Sequence, residues 1–421
     1  MSRARPSRPA AALDAPEPRR AARLTRAGPA RAPSVHPLVL GLALVLVAVN
    51  LRPTLTSLPP LLADIERELG LSGATAGLLT ALPVLCMALA APASHRVAHR
   101  HGREATVLGA TVLIAIGDGL RLAGASLPAL FAGTLLAGLG IAACGVVLPG
   151  IVKEFFPGRE GAASAAYIVA IMLGASLGAA VAVPLEEILG SWQASLATWA
   201  LPACVAVAVW RAVTARLNER EPEADAHPGR LPWRARSAWL LAAFLSAQSA
   251  LAYAYIGWLS PAYEARGWSA ATAGLLLGAL HLAQLVSALV LPVLADRSTD
   301  RRPPLVIAMA ATVVAAVWLW ALPDTLPWAA TALLGLGLGG GFALGLVLIV
   351  DYAADPGAAG RLAAMVFLVC YATAALAPVV IGALRDATGG FALPFGLLTV
   401  VAAIQLALGT RLGPAHRAQV R

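Results

Sequence analysis

Charged residues are scarce: Asp, Glu, Lys and Arg make up only 13% of the 421 residues. An ordinary water-soluble domain carries about a quarter, so a solvated globule of usual composition is excluded. Cysteine is thinner still. Cys86, Cys144, Cys204 and Cys370 all lie inside apolar runs without CxxC or Cys/His spacing, which excludes a disulfide framework and a cysteine-based metal site. They read as small packing residues. No Walker motif, catalytic triad or metal-ligand cluster occurs along the chain. Nucleotide-driven pumping and enzymatic chemistry therefore have no residues to carry them, and no cofactor or metal is expected. The run Gly335-Leu336-Gly337-Leu338-Gly339-Gly340-Gly341 lacks the Lys-Ser/Thr that follows a phosphate loop. Close helix contact or a flexible gating helix accounts for it better.

Apolar surface, by contrast, is abundant. The chain is 59% hydrophobic with a mean hydropathy of +0.76, and apolar runs of about 20 residues recur along it, each long enough to cross roughly 30 Å of hydrocarbon. Backbone in lipid must satisfy its own hydrogen bonds, so the runs are helices. The net charge of +9 is spread through short segments between them, and such scattering argues against a nucleic-acid partner. Twelve spans are predicted, at 38–60, 74–94, 105–123, 127–149, 161–183, 194–213, 238–260, 272–294, 304–322, 328–350, 362–384 and 392–410. The first is too long for a signal-peptide core and is expected to remain. Of the Lys and Arg residues, 26 fall on one side of this arrangement and four, Arg67, Arg121, Arg266 and Arg385, on the other. Positive residues resist translocation, which makes the rich side cytoplasmic and places both termini there.

Residues 1–36 are rich in Arg, Ala and Pro and read as a disordered cytoplasmic tail. The polar stretch 214–236 reads as a linker between two six-helix halves, 37–213 and 237–412. An internal repeat supports the division: Ser72-Gly73-Ala74-Thr75-Ala76-Gly77-Leu78-Leu79 returns as Ser269-Ala270-Ala271-Thr272-Ala273-Gly274-Leu275-Leu276, identical at seven of eight positions. Both copies open the second span of a half.

A charge inside hydrocarbon costs some kcal/mol, so each is a functional candidate. Arg52 is the foremost, near the middle of an apolar stretch in Asn50-Leu51-Arg52-Pro53. Pro53 interrupts the helical bonding and would free carbonyls beside a fixed cation, an arrangement suited to an anionic or strongly dipolar substrate. The competing readings are a structural charge network or outward snorkelling. Asp118 and Arg121, three residues apart on one helical face, either pair or provide a proton acceptor; a snorkelling Arg121 is the alternative. Span seven offers Gln248, Ser249, Tyr253, Tyr255 and Trp258. Gln248 and Tyr255 are seven apart and share a face that would look into the pore, whereas Trp258 reads as part of an interfacial aromatic belt. His281 in span eight is either a proton shuttle or a hydrogen-bonded structural group. Glu186 and Glu187 read as periplasmic loop residues.

Two six-span halves in parallel repeat are the layout of the major facilitator fold, whose halves rock about a midplane site. The segment Asn50-Leu51-Arg52-Pro53-Thr54-Leu55-Thr56-Ser57-Leu58-Pro59-Pro60-Leu61-Leu62 resembles the first-span signature of the cyanate and nitroimidazole permease family within that superfamily. The likeness extends through Leu148-Pro149-Gly150, Phe156-Pro157, Trp258-Leu259-Ser260-Pro261 and Asp386-Ala387-Thr388-Gly389-Gly390. It also marks Tyr253 and Tyr371 and an Arg late in span three, matched by Arg121. Around Tyr371, Phe367 and Cys370 depart from the family's Gln and Gly. After spans two and eight the superfamily carries a Gly, Asp and Arg-rich loop, read here as gating structure: Gly102 and Arg103 in the first copy, Asp296, Arg297 and Arg301 in the second.

The resemblance implies an all-α carrier in the inner membrane, a monomer, moving cyanate-like anions or small nitrogen-containing organics by alternating access under an ion gradient, most simply that of protons. Asn50, Arg52, Gln248, Tyr253, Tyr255 and Tyr371 are the expected substrate contacts; Asp118, Arg121 and His281 are the candidates for proton coupling or a charge network. A drug-type exporter of the same fold would instead need a wide apolar cavity indifferent to Arg52. A non-transporting sensor would need an output domain, for which the tail and linker are too short and polar.

Overall fold

The computed structural model describes residues 36–215, 230–297, 300–416 and 419–420. Residues 1–35 of the predicted tail and most of the predicted linker lie outside them. Within the described residues the chain is helical apart from turns and one isolated bridge between Ala353 and Val420. Eleven stretches are long and apolar enough to cross a membrane unaided, and a bent pair makes twelve, the number read from the sequence. The protein is thus a multi-pass membrane protein.

The first span is broken three ways: α1 (Pro37–Val49), α2 (Pro53–Thr56) and α3 (Leu62–Leu69), with a 3₁₀ turn at Pro59–Leu61. The prolines are the cause. Pro53 has no N–H to give the Val49 carbonyl, so α1 closes on tighter bonds, Asn50 N–H to Val47 O at 3.1 Å and Leu51 N–H to Ala48 O at 3.1 Å. Pro59 and Pro60 likewise leave the carbonyls of Leu55 and Thr56 without helical donors. The second span is α4 (Gly73–Leu89) followed after a 58° bend by α5 (Ala91–His101). There follow α6 (Arg103–Leu120), ending in a 3₁₀ turn, then α7 (Leu127–Phe155) and α8 (Glu160–Leu189). The sixth span is α9 (Trp192–Ala197) with α10 (Ala200–Thr214).

The second half comprises α11 (Arg236–Glu264), α12 (Ala270–Ala295), α13 (Arg302–Ala321), α14 (Pro327–Tyr352), the pair α15 (Pro356–Ala374) and α16 (Leu376–Thr388), and α17 (Ala392–Gly409). The sequence repeat becomes a structural one at the starts of α4 and α12. Ser72 Oγ accepts from Thr75 N at 3.3 Å and Ser269 Oγ from Thr272 N at 3.2 Å, two matching N-caps. The glycine run lies buried in α14 against α12 and α13, where small residues let helices approach.

The two halves meet along two seams, α8 against α12 and α4 against α15 and α16. One buried apolar cluster runs through both halves and takes in Leu61, Leu62 and Ile65 of the first and Trp258, Ala262 and Ile381 of the second. A second cluster, built from residues such as Phe244, Leu245, Leu348, Met365 and Leu412, belongs to the second half alone. The core is therefore shared at the end of the bundle holding α3 and the C-termini of α11 and α16, and separate at the Arg-rich end.

Candidate functional site

Arg52 stands at the break between α1 and α2, in the non-helical conformation φ −122°, ψ −29°, and reaches across to the other half. Its Nη1 donates to Tyr253 Oη at 3.1 Å, and its guanidinium carbon lies 5.9 Å from the centre of that ring. Tyr253 in turn touches Met87 of α4, Oη to Sδ 3.8 Å. Tyr371 of α15 meets Tyr253 edge-on at 6.4 Å, and Phe367, one turn earlier, stacks on Tyr371 at 5.7 Å. Four spans thus converge on one guanidinium halfway along the bundle. No carboxylate pairs with Arg52 among the described residues, and most of its five N–H donors stay available. A cation walled by aromatic rings has the chemistry to hold a small planar group rich in electrons.

His281 of α12 is buried. Its Nδ1 is 3.0 Å from Gln284 Oε1, and its Nε2 has no hydrogen-bond partner among the described residues. Asp118 and Arg121 form a second buried centre behind the break. Arg121 Nη1 lies 3.6 Å from Asp118 Oδ1, and the side chains are 1% and 0% exposed. Arg121 neither snorkels nor faces the rings around Arg52.

Several sequence-predicted contacts fall elsewhere. Asn50 is tied to backbone, Nδ2 donating to Leu46 O at 2.7 Å and Pro202 O at 3.4 Å, so it fastens the first span to the sixth. Gln248 and Tyr255 do share a face, but that face turns away from Arg52. Gln248 donates to Leu338 O at 2.6 Å and accepts from Gln405 Nε2, while Tyr255 is buried edge-on against Phe395 at 5.5 Å. Helical spacing sets which residues share a face, whereas neighbouring helices set where the face points. Trp258 is likewise no belt residue. It is fully buried in a seam, and Nε1 donates to Pro378 O at 2.7 Å. Glu186 and Glu187 belong to the last turn of α8.

The Arg-rich loops carry charge pairs within each half. Gly102 takes φ +85° between α5 and α6, a region that favours glycine. Arg103 pairs with Glu154 at 2.9 Å, and Arg301 with Asp296 at 2.7 Å and Asp351 at 3.4 Å, while Arg297 is exposed. At the opposite end, charges bind one half to the other. Arg385 Nη1 pairs with Glu66 at 2.9 Å and lies 4.8 Å over the Trp258 ring, and Asp386 accepts from Gly73 N–H at 2.6 Å. Residue-by-residue reading missed this cluster; its one signal was Arg385-Asp386 beside an apolar run.

Residues 39–378 and 253–419 match the family model described as Major Facilitator Superfamily. The chain is 35% identical over 351 residues to the cyanate transport protein of Escherichia coli (strain K12), covering 83% of this chain and 91% of that one. It is 32% identical over 381 residues to the 2-nitroimidazole transporter of the same organism, covering 89% and 95%. Among solved structures it resembles a D-xylose-proton symporter, with a TM-score of 0.73, 13% identity and coverage of 91% of this chain and 99% of that one. A bacterial homologue of the lysosomal transporter Spinster, in an inward-facing and occupied conformation, gives 0.72 at 16% identity, covering 90% and 97%. These likenesses join the twelve-span bundle and the central arginine in one conclusion: the chain belongs to the Major Facilitator Superfamily, in the group of the cyanate and 2-nitroimidazole transporters, and is a transporter of small solutes, not an enzyme.

Proposed function

We propose that the protein carries a small anionic or strongly dipolar planar solute across the inner membrane by alternating access, with Arg52 as its receptor and Tyr253, Tyr371, Phe367 and Met87 as its walls. The observation that carries this reading is the lack of any carboxylate partner for Arg52 among the described residues. A charge kept inside a membrane bundle at a cost, and left without a counter-ion, has its use when a ligand supplies one. Cyanate and nitroheteroaromatics, the solutes in the relatives' names, both present a compact electron-rich end.

The halves are 37–213 and 237–412, joined by 214–236, with both termini cytoplasmic. On that orientation Arg385, Glu66, Asp386 and Trp258 close the outer end, and the Arg-rich end is where the halves separate. Uptake is driven by the proton gradient. His281, buried in α12 with Nε2 unbonded among the described residues, is the titratable group assigned to the coupling proton.

The test is uptake of radiolabelled cyanate and a panel of small organic anions into proteoliposomes under imposed pH gradients, for the wild type and Arg52→Ala. Gradient-driven uptake that disappears in the variant is the expected result. If both proteins ignore anions and exchange apolar cations equally well, the exporter reading replaces this one.

A further inference from the structure

Asp118 and Arg121 are the most deeply buried charges described in the bundle, and neither touches the rings around Arg52. Their contacts lead to α2. Arg121 Nη1 donates to the Thr54 carbonyl at 3.0 Å, and the Thr54 hydroxyl donates to Asp118 Oδ2 at 3.0 Å. Arg121 Nη2 donates to the Thr134 hydroxyl at 3.2 Å, which itself donates to the Leu130 carbonyl at 2.8 Å. Backbone and side chain of one residue are thus gripped by one ion pair anchored to α7. Among the described residues, Asp118 Oδ1 and Arg121 Nε have no hydrogen-bond partner.

Thr54 stands two residues beyond Arg52, in a helix of four residues bounded by proline breaks. So short a helix has almost no cooperativity of its own, and its orientation must come from outside. On one side Gly178 of α8 lies against Pro53, where a Cβ would come within 2.8 Å of the Pro53 Cα. The ion pair supplies the other side. Gly117 and Gly133 bring α6 and α7 close enough that the Arg121 stem runs alongside Gly133.

We infer that Asp118 and Arg121 are positioning residues: they hold α2 at Thr54 and thereby aim Arg52 at the substrate, without meeting the substrate or carrying the coupling proton. This rests on the reading of Arg52 as the receptor. A buried pair spent on one backbone carbonyl and one hydroxyl beside a break is suited to fixing a joint, and a displacement of about 1 Å at a binding group is enough to cost up to a hundredfold.

The experiment compares wild type, Arg52→Ala, Asp118→Asn, Arg121→Lys and the double variant Asp118→Asn/Arg121→Gln, which leaves no charge unpaired. Two readouts are used. The first is KM and Vmax for cyanate in both gradient-driven uptake and counterflow exchange. The second is the rate at which an aqueous thiol reagent labels the thiol introduced by Arg52→Cys, with the native cysteines replaced by serine. The double variant is expected to raise KM about tenfold or more in uptake and exchange alike, with Vmax largely kept, and to change the labelling rate of that introduced thiol severalfold. Arg121→Lys, which retains a donor, should fall between it and the wild type. An unchanged KM with an unchanged labelling rate overturns the inference, as does loss of driven uptake with exchange intact, the mark of a proton carrier. Arg52→Ala separates the two readings: if it transports normally, the receptor assignment falls; if it is dead while the double variant keeps the wild-type KM, only the positioning role falls. Should no cyanate be moved by any variant, the labelling rates alone decide.

Discussion

The two seams that join the halves occupy equivalent places in the repeat yet are built from different chemistry. Where α8 meets α12, small residues bring backbones together: Gly274 lies against the Ala179 carbonyl and Gly278 against Ser176, whose hydroxyl donates to the Gly278 carbonyl at 3.1 Å. The ion pairs found between the halves lie instead around the α4 and α16 seam, where Arg385, Glu66, Asp386 and the buried Trp258 interlock. Both α4 and α12 begin with the same serine cap, but only the α4 N-terminus receives a carboxylate from the opposite half. One seam is a smooth contact held by close backbone fit and a hydroxyl-to-carbonyl bond. The other is a latch, strong while its partners are matched and weak once one is missing.

The largest effect should follow from breaking the latch. Arg385→Gln leaves Glu66 without its partner, and losing a part-buried bond between charged groups costs about 1.5–3 kcal/mol, enough to move a two-state equilibrium by roughly tenfold or more. Spin labels at Arg67 and Ala387, read by pulsed electron resonance, should report a longer distance in the variant; an unchanged distribution would mean that this end is closed by apolar contact alone. Next comes the smooth seam. Gly274→Val forces a side chain onto the Ala179 carbonyl and Pro60 of the opposite half, an overpacking worth about 1–3 kcal/mol. It should lower the melting temperature in detergent and slow uptake, while the Arg67–Ala387 distance stays short. The smallest change is Trp258→Phe, which keeps the ring under Arg385 but removes the donor to the Pro378 carbonyl at 2.7 Å. A net loss of about 0.5–1.5 kcal/mol is expected, visible as a modest distance shift that the same substitution at Trp320, exposed at the lipid-facing surface, should not produce.

The bilayer made the fold legible. Helices that must satisfy their own backbone in hydrocarbon announce themselves as apolar runs, and the observed elements follow the predicted spans, with the first, fourth and fifth among those running further, to Leu69, Phe155 and Leu189. Arg52 was legible for a local reason, a guanidinium followed by proline within a single apolar run. What stayed hidden was rotation and partnership. Nothing in span seven says whether the face of Tyr253 or that of Gln248 and Tyr255 turns inward, because that depends on helices far away in the chain. Trp258 sits near a membrane boundary, where a belt is the usual reading, but it is turned into a seam. The latch joins Glu66 to Arg385 across 319 positions, and each residue read alone resembles a solvated loop charge.

The bond between Arg52 and Tyr253 has a meaning for the empty protein. A carrier that has released its cargo must still return, and on the way it crosses the arrangement in which its centre is sealed from water on both sides. A bare guanidinium there would pay the full cost of losing its hydration. If Arg52 is the receptor proposed above, the phenol oxygen at 3.1 Å would act as a placeholder, accepting from Arg52 between cargoes and yielding the position to the next one. On that proposal Tyr253 would serve each half of the cycle differently, as a wall for the loaded protein and as a stand-in for the cargo on the return.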